Sequence, residues 1–158
     1  MGINPREDRN PPGHPAMSDK WDMRFIDLAA TVAQWSKDPS TKVGAVIVDD
    51  KKRVVSLGFN GFPRGANDSV LVHISREVKL KQIIHAEMNA ILFAKQDLTG
   101  HTIYVSPMAP CAQCASAIIQ SGISRVVSLP INPESKWCDE LKMARANLNA
   151  AGVDFHSR

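Results

Sequence analysis

The sequence predicts an α/β fold, a three-layer α-β-α sandwich built on a five-stranded mixed sheet. Three observations carry this expectation. Apolar residues at helical spacing alternate with short β-branched runs, in the order helix, hairpin, helix, strand, helix, strand, helix, strand. The loop between the first two strands is too short for a crossover, so that pair is antiparallel. A long helix precedes the last strand, and a crossover of that size lets strands four and five run parallel.

The elements follow in order. Residues 1 to 19 hold Pro5, Pro11, Pro12 and Pro15 among charged and small polar side chains. Such a stretch buries too little apolar surface to offset its ordering entropy, so it reads as a flexible leader, with Met17 a second candidate start. The remaining residues, 20 to 158, form one domain. From 21 to 35, Trp21, Phe25, Ile26, Leu28, Ala29, Val32, Ala33 and Trp35 recur at steps of mostly three and four, which predicts an amphipathic helix with Asp19 as its N-cap. Asp38-Pro39-Ser40 ends it. Residues 43 to 48 are a buried strand, Asp49-Asp50-Lys51-Lys52 a hairpin turn, and 53 to 60 the partner strand.

Gly61, Pro63 and Gly65 then impose turns. Residues 75 to 84 offer a partial helical face through Val78, Leu80 and Ile83, and 85 to 95 a stronger one. After Gly100, residues 102 to 106 are a strand, and Pro107 and Pro110 stiffen the loop beyond it. Residues 111 to 120 form a helix closed by Ser121-Gly122, and 125 to 129 the fourth strand. Residues 135 to 151 form the long helix, with Leu141, Met143, Ala144, Leu148 and Ala151 apolar. Gly152 caps it before a last strand at 153 to 156.

The composition excludes several classes. Hydrophobic content of 44% and charged content of 22% are those of a globular chain. The net charge of +3 suits a small anionic ligand and requires neither a nucleic acid nor a membrane surface. No apolar run reaches the length of a membrane span, and the N-terminus lacks a secretory core, so the cytoplasm is expected. Three cysteines, two of them in one C-x-x-C, argue against a disulfide framework.

The chemistry is carried by His85-Ala86-Glu87 and Pro110-Cys111-Ala112-Gln113-Cys114. His85, Cys111 and Cys114 are three zinc ligands, and a catalytic zinc keeps its fourth position for water, whose pKa it lowers to roughly 7. One Zn2+ per chain is expected. Each stretch opens a helix, whose positive end favours thiolate, and residues three apart on a helix bring both sulfurs to one point. Glu87 is two residues from His85 and suits a proton shuttle between water, a ring nitrogen and a departing amine. H-x-E followed by P-C-x-x-C is the signature of zinc nucleobase deaminases. The bland alternatives are a structural zinc knuckle, a redox pair, and for Glu87 a solvated helix carboxylate. A structural site needs a fourth ligand, and Cys138, His14, His73, His101 and His156 form no second paired motif.

Longer stretches narrow the assignment. Ser36-Lys37-Asp38-Pro39-Ser40-Thr41-Lys42-Val43-Gly44-Ala45, Gly58-Phe59-Asn60-Gly61-Phe62-Pro63-Arg64-Gly65 and His85-Ala86-Glu87-Met88-Asn89-Ala90-Ile91 resemble segments of the deoxycytidylate (dCMP) deaminase family, in the cytidine deaminase superfamily. The resemblance covers about residues 21 to 156 and implies a cytidine deaminase-like fold and hydrolysis of dCMP to dUMP and ammonia. It implies that Asn60 hydrogen-bonds the sugar, that the Ala86 N–H reads the pyrimidine O2, and that the carbonyl near Pro110 accepts from the leaving amine. Lys37, Lys42 and Arg64 are candidate phosphate contacts, with solvated surface charge as their alternative. Asn60 has its own alternative, a backbone-bonding turn residue.

The resemblance further implies a homo-oligomer, hexamer or dimer, activated by dCTP and inhibited by dTTP. Residues 58 to 65 would take part in that effector site, and Mg2+ would accompany the triphosphate. One departure bears on the substrate: the run from Tyr104 to Cys111 is one residue longer than the family's, through Ser106-Pro107-Met108-Ala109-Pro110. It leaves a modified cytosine or dCTP as alternative substrates. The rival readings are a cytidine deaminase, a tRNA adenosine deaminase, and a zinc-stabilised binding module without turnover. The long final helix disfavours the first, and the modest charge and the stretch from Gly58 to Gly65 disfavour the second.

Overall fold

A computed structural model describes residues 17–67 and 74–158. The chain runs α1 (Met17–Ala33), β1 (Gly44–Val48), β2 (Val54–Phe59), α2 (Arg76–Gln82), α3 (Ala86–Ala94), β3 (Thr102–Ser106), α4 (Ala112–Gln120), β4 (Arg125–Ser128), α5 (Cys138–Ala150) and β5 (Asp154–Ser157). The expected leader lies outside the described residues as far as residue 16.

The five strands form one sheet in the order β2-β1-β3-β4-β5. β1 is antiparallel to β2 and to β3, while β3, β4 and β5 are mutually parallel. The expected parallel pairing of strands four and five is what the sheet shows. At the β1–β2 hairpin the Asp49 carboxylate accepts from the backbone N–H groups of Lys51 and Arg53, and Lys52 takes a positive φ of 62°. That local bonding closes the tight turn.

Side-chain alternation on the strands divides the core into two layers. Val46, Val48, Tyr104 and Val127 face α1, where Phe25, Ile26 and Ala29 cover them. Ala45, Ile47, Ile103, Val105 and Val126 face the opposite way, toward Ala86 and Ala90 of α3, Ala115 and Ile118 of α4, and Ala144 and Leu148 of α5. Gly44 allows α1 to press on the sheet, because a Cβ there would collide with the backbone of Ala29 and Ala33.

A buried ionic cluster ties α1 to the sheet. Asp22 is 1% exposed and accepts bonds from both Nη atoms of Arg125 (2.8 and 2.6 Å), from the Tyr104 hydroxyl (2.8 Å) and from Nε of Arg158 (3.1 Å). Burial pushes the Asp22 carboxyl upward, but these donors outweigh it and hold its pKa below the usual carboxylate value.

Some expectations are corrected. α1 begins at Met17, so Asp19 lies in its first turn and does not cap it. The helix ends at Ala33, after which Gln34, Trp35 and Ser36 bond tightly to carbonyls three residues back. Trp35 therefore leaves the apolar face and is about half exposed (53%). α2 is capped by the Ser75 hydroxyl but buries no residue. Val78 and Leu80, two apart, cannot share one helical face. Met143 of α5 is likewise exposed. The long helix starts at Cys138, because residues 132 to 137 are taken up by turns closed by Asn132 and Ser135.

Candidate active site

The site sits at one end of the sheet. Gly44, the first residue of β1, pairs with both Phe59 and Ser106, the last residues of β2 and β3. The chain leaving β3 passes through a cis Ser106–Pro107 bond and buried Ala109 and Pro110 to Cys111. Cys111 is the N-cap of α4, and Cys114 lies in that helix's first turn. His85 is the N-cap of α3. Neither cap uses its side chain to satisfy the helix, so both point their donors elsewhere.

Those donors meet. Nδ1 of His85 is 3.4 Å from Sγ of Cys111 and 3.3 Å from Sγ of Cys114. All three ligand atoms lie within 4.8 Å of one another, and among the described residues they are the group that could hold a metal ion. Tetrahedral zinc with ordinary Zn–N and Zn–S bonds separates nitrogen from sulfur by about 3.5 Å. The donor set therefore fits zinc in kind and in spacing, with three protein ligands as a catalytic site requires.

Without a metal the three groups compete for protons. The hydrogen bond from Cys114 holds the Cys111 pKa well below the usual thiol value, against burial and with help from His85. Cys114, the donor in that bond and itself buried, is pushed up. The bond to Cys111 raises the His85 pKa, against burial. A divalent cation held by His85, Cys111 and Cys114 would resolve this competition by favouring both thiolates.

Glu87 lies in the first turn of α3, beside this group, and is 4% exposed. Burial raises its pKa, partly offset by its own backbone N–H and by the charge of His85. It is not a solvated helix carboxylate. Ala86 is fully buried at the first position of α3, where backbone N–H groups have no partner within the helix. The close seat of α3 depends on Gly58: a Cβ there would collide with the carbonyl of Ala86 and the backbone of Ala90.

Asn60 is buried and its amide is engaged by backbone. Oδ1 accepts from Val43 N–H (2.9 Å), and Nδ2 donates to the Thr41 carbonyl (2.8 Å) and, at 3.4 Å, to Asp38. Lys37 and Lys42 are exposed on the same loop. Arg64 is exposed and lies over the Phe93 ring at 5.5 Å. It lines an apolar cleft of ≈ 450 Å³ with Trp35, Phe59, Phe62 and Leu92 among its walls, and His85, Glu87 and the cysteines are not part of that lining.

Sequence reasoning passed over Asp38 and Lys79. Asp38 ends the first helix in sequence, yet its carboxylate is 6% exposed and pairs with Lys79 at 2.7 Å. The available signal was Asp38 two residues before Ser40, an Asx-type turn that orients the carboxylate inward. Its pKa is held down because bonds from Lys79, Ser40 and Thr41 outweigh the effect of burial.

Comparison with known proteins adds the following. Residues 19–129 match the family model described as the cytidine and deoxycytidylate deaminase zinc-binding region. The chain is 47% identical over 141 residues to a deaminase from the luxG 3′ region of Aliivibrio fischeri, covering 87% of this chain and 93% of that one. It is 37% identical over 142 residues to the deoxycytidylate deaminase of Homo sapiens, covering 86% and 78% respectively. The dCMP deaminase of cyanophage S-TIM5, solved with dCMP and dUMP, superposes with a TM-score of 0.65 at 21% identity, over 92% of this chain and all of that one. At that identity the superposition establishes the fold.

Proposed function

The chain belongs to the cytidine and deoxycytidylate deaminase family, and from that premise we propose that it hydrolyses deoxycytidine monophosphate to deoxyuridine monophosphate and ammonia. The observation that carries the reading is the convergence of His85, Cys111 and Cys114 with a buried carboxylate beside them. His85, Cys111 and Cys114 would hold one Zn2+, which when bound supplies an activated water at neutral pH.

The chain's own groups do the rest. Glu87 takes a proton as water adds to C4 of the cytosine and delivers it to N3. It then takes the proton of the new C4 hydroxyl and carries it to the amine, so that C4=O forms as C4–N breaks and ammonia leaves. Its burial suits the task, since a carboxyl whose pKa is raised above its ordinary value gives and takes protons more readily near neutral pH. The Ala86 N–H holds the pyrimidine O2, and the carbonyl at Pro110 accepts from the departing amine. Asn60 meets the sugar. Lys37, Lys42 and Arg64 are the candidate phosphate contacts, and the Arg64 guanidinium also lies over the Phe93 ring.

The proposal extends to organisation. The enzyme works as a homo-oligomer in the cytoplasm, with dCTP, carrying Mg2+, and dTTP as opposing effectors. α1 already takes in residues 17 to 19, so these belong with 20 to 158 to the deaminase domain. Among the described residues no helix is long and apolar enough to cross a membrane.

A substrate panel tests the reading. Ammonia release is followed for deoxycytidine, dCMP, a 5-substituted dCMP, dCTP and cytidine. Charge-assisted hydrogen bonds contribute about 1.5–3 kcal/mol, so kcat/KM for dCMP exceeds that for deoxycytidine by about tenfold or more. Equal use of the nucleoside overturns phosphate recognition. A preference for dCTP or the substituted base assigns the substrate to the longer Tyr104–Cys111 loop instead.

A further inference from the structure

The Asn60 amide can be oriented in one way only. Val43 offers it an N–H and Thr41 a carbonyl, so Oδ1 faces the first and Nδ2 the second. The second Nδ2 proton is directed to Oδ2 of Asp38. Both amide protons are thus engaged, and Asn60 has only the remaining lone pair of Oδ1 to present to a ligand. Asp38 is the group that keeps this second proton from a ligand, and its carboxylate is fixed in turn. Its Oδ1 accepts from Ser40 N–H (2.8 Å), Thr41 N–H (3.3 Å) and Lys79 Nζ (2.7 Å). Lys79 also donates to the Ser40 hydroxyl at 3.3 Å.

Lys79 comes from α2, which buries none of its own side chains. The end of that segment is paired with the chain beside Asn60: Ile84 and Gly61 exchange both backbone bonds, at 2.8 and 3.0 Å. Ile84 directly precedes His85. The Asp38–Lys79 pair therefore links the loop that orients Asn60 to the segment that delivers the histidine.

We infer that Asp38 and Lys79 are positioning residues that hold Asn60 as an acceptor-only group for the sugar of the substrate. This rests on the proposed dCMP reading, and it names the partner atom. An acceptor needs a donor, and the sugar of dCMP, with the base on C1′ and the phosphate on C5′, carries one hydroxyl, the 3′-OH. The pair is read through Asn60; neither residue touches the reacting atoms.

The test compares dCMP with 2′,3′-dideoxycytidine 5′-monophosphate on the wild-type protein and on Lys79→Met, Lys79→Arg and Asn60→Ala. One hydrogen bond between neutral groups amounts to at most about tenfold in binding. Lys79→Met is expected to raise KM for dCMP by several-fold to that limit, with kcat and zinc content near wild type. The dideoxy substrate, lacking the donor, shows little further loss, and Lys79→Arg restores the dCMP value. Where Lys79→Met fails to fold, Lys79→Ala, which also removes the donor, takes its place with the same expected split between the two substrates. An equal loss for both substrates, or a joint fall in kcat and zinc content, overturns the inference and makes the pair structural. Wild-type protein that releases no ammonia from dCMP overturns the underlying reading instead.

Discussion

Nδ1 of His85 lies 3.3 Å from Sγ of Cys114, although the two residues are 29 positions apart. The N-termini of two helices, α3 and α4, are brought together at this point. With Cys111 the pair forms a site that a metal completes. Purified protein is expected to carry about one zinc per chain, and Cys111→Ala/Cys114→Ala to carry none. Metal analysis by mass spectrometry decides it; undiminished zinc in the double variant would falsify the ligand assignment.

Glu87 should separate chemistry from metal binding. Glu87→Gln keeps the shape of the side chain and removes its ability to carry protons. Zinc content and melting temperature are expected near wild type, with kcat down by at least ~10²-fold. Ammonia release at close to the wild-type rate would place the proton transfers on another group.

Gly58 and Gly44 test the seating of the two helix layers separately. Overpacking a tight contact destabilises by roughly 1–3 kcal/mol, and either Gly→Ala substitution meets helix backbone with little room to yield. Gly58→Ala displaces α3 and should lower zinc occupancy along with stability. Gly44→Ala displaces α1, on the far face of the sheet, and should lower stability with zinc retained. Denaturant melts paired with metal analysis distinguish them, and loss of zinc from both would show that the layers are coupled.

Asp22 gives a pH dependence with a definite sign. Its folded pKa lies below the unfolded value of about 3.9. The stability it contributes is fully present above the unfolded pKa and is lost as pH falls through the lower folded value. Acid unfolding of the wild-type protein should therefore draw on this group below about pH 4. Asp22→Asn leaves Arg125 without its carboxylate, which for a buried pair costs roughly 3–5 kcal/mol at neutral pH. The variant's loss relative to wild type should shrink toward acid pH, as the wild-type carboxylate protonates. A loss independent of pH down to pH 2 would assign the effect to packing.

The sequence by itself determined the donor set and the order of elements. His85, Glu87, Cys111 and Cys114 are legible because each motif is local: spacing along a helix start decides which side chains share a face. The parallel pairing of β4 and β5 is legible too, since the length of α5 leaves a crossover as the natural connection. The family resemblance rested on contiguous stretches and was readable for the same reason.

Only the tertiary structure decided what depends on residues far apart in the chain. Asp22 reads as an ordinary helix charge until Tyr104, Arg125 and Arg158 converge on it across 82 to 136 positions. Trp35 reads as part of an apolar helix face until the helix stops short of it. Nothing local to Arg64 points to Phe93, whose ring lies beneath its guanidinium. Asp38 reads as a helix stop until Lys79 reaches it from 41 residues away. In each case the partner is supplied by sheet order and helix seating. No local pattern encodes these, because the energy that selects them comes from burying both faces of the sheet at once.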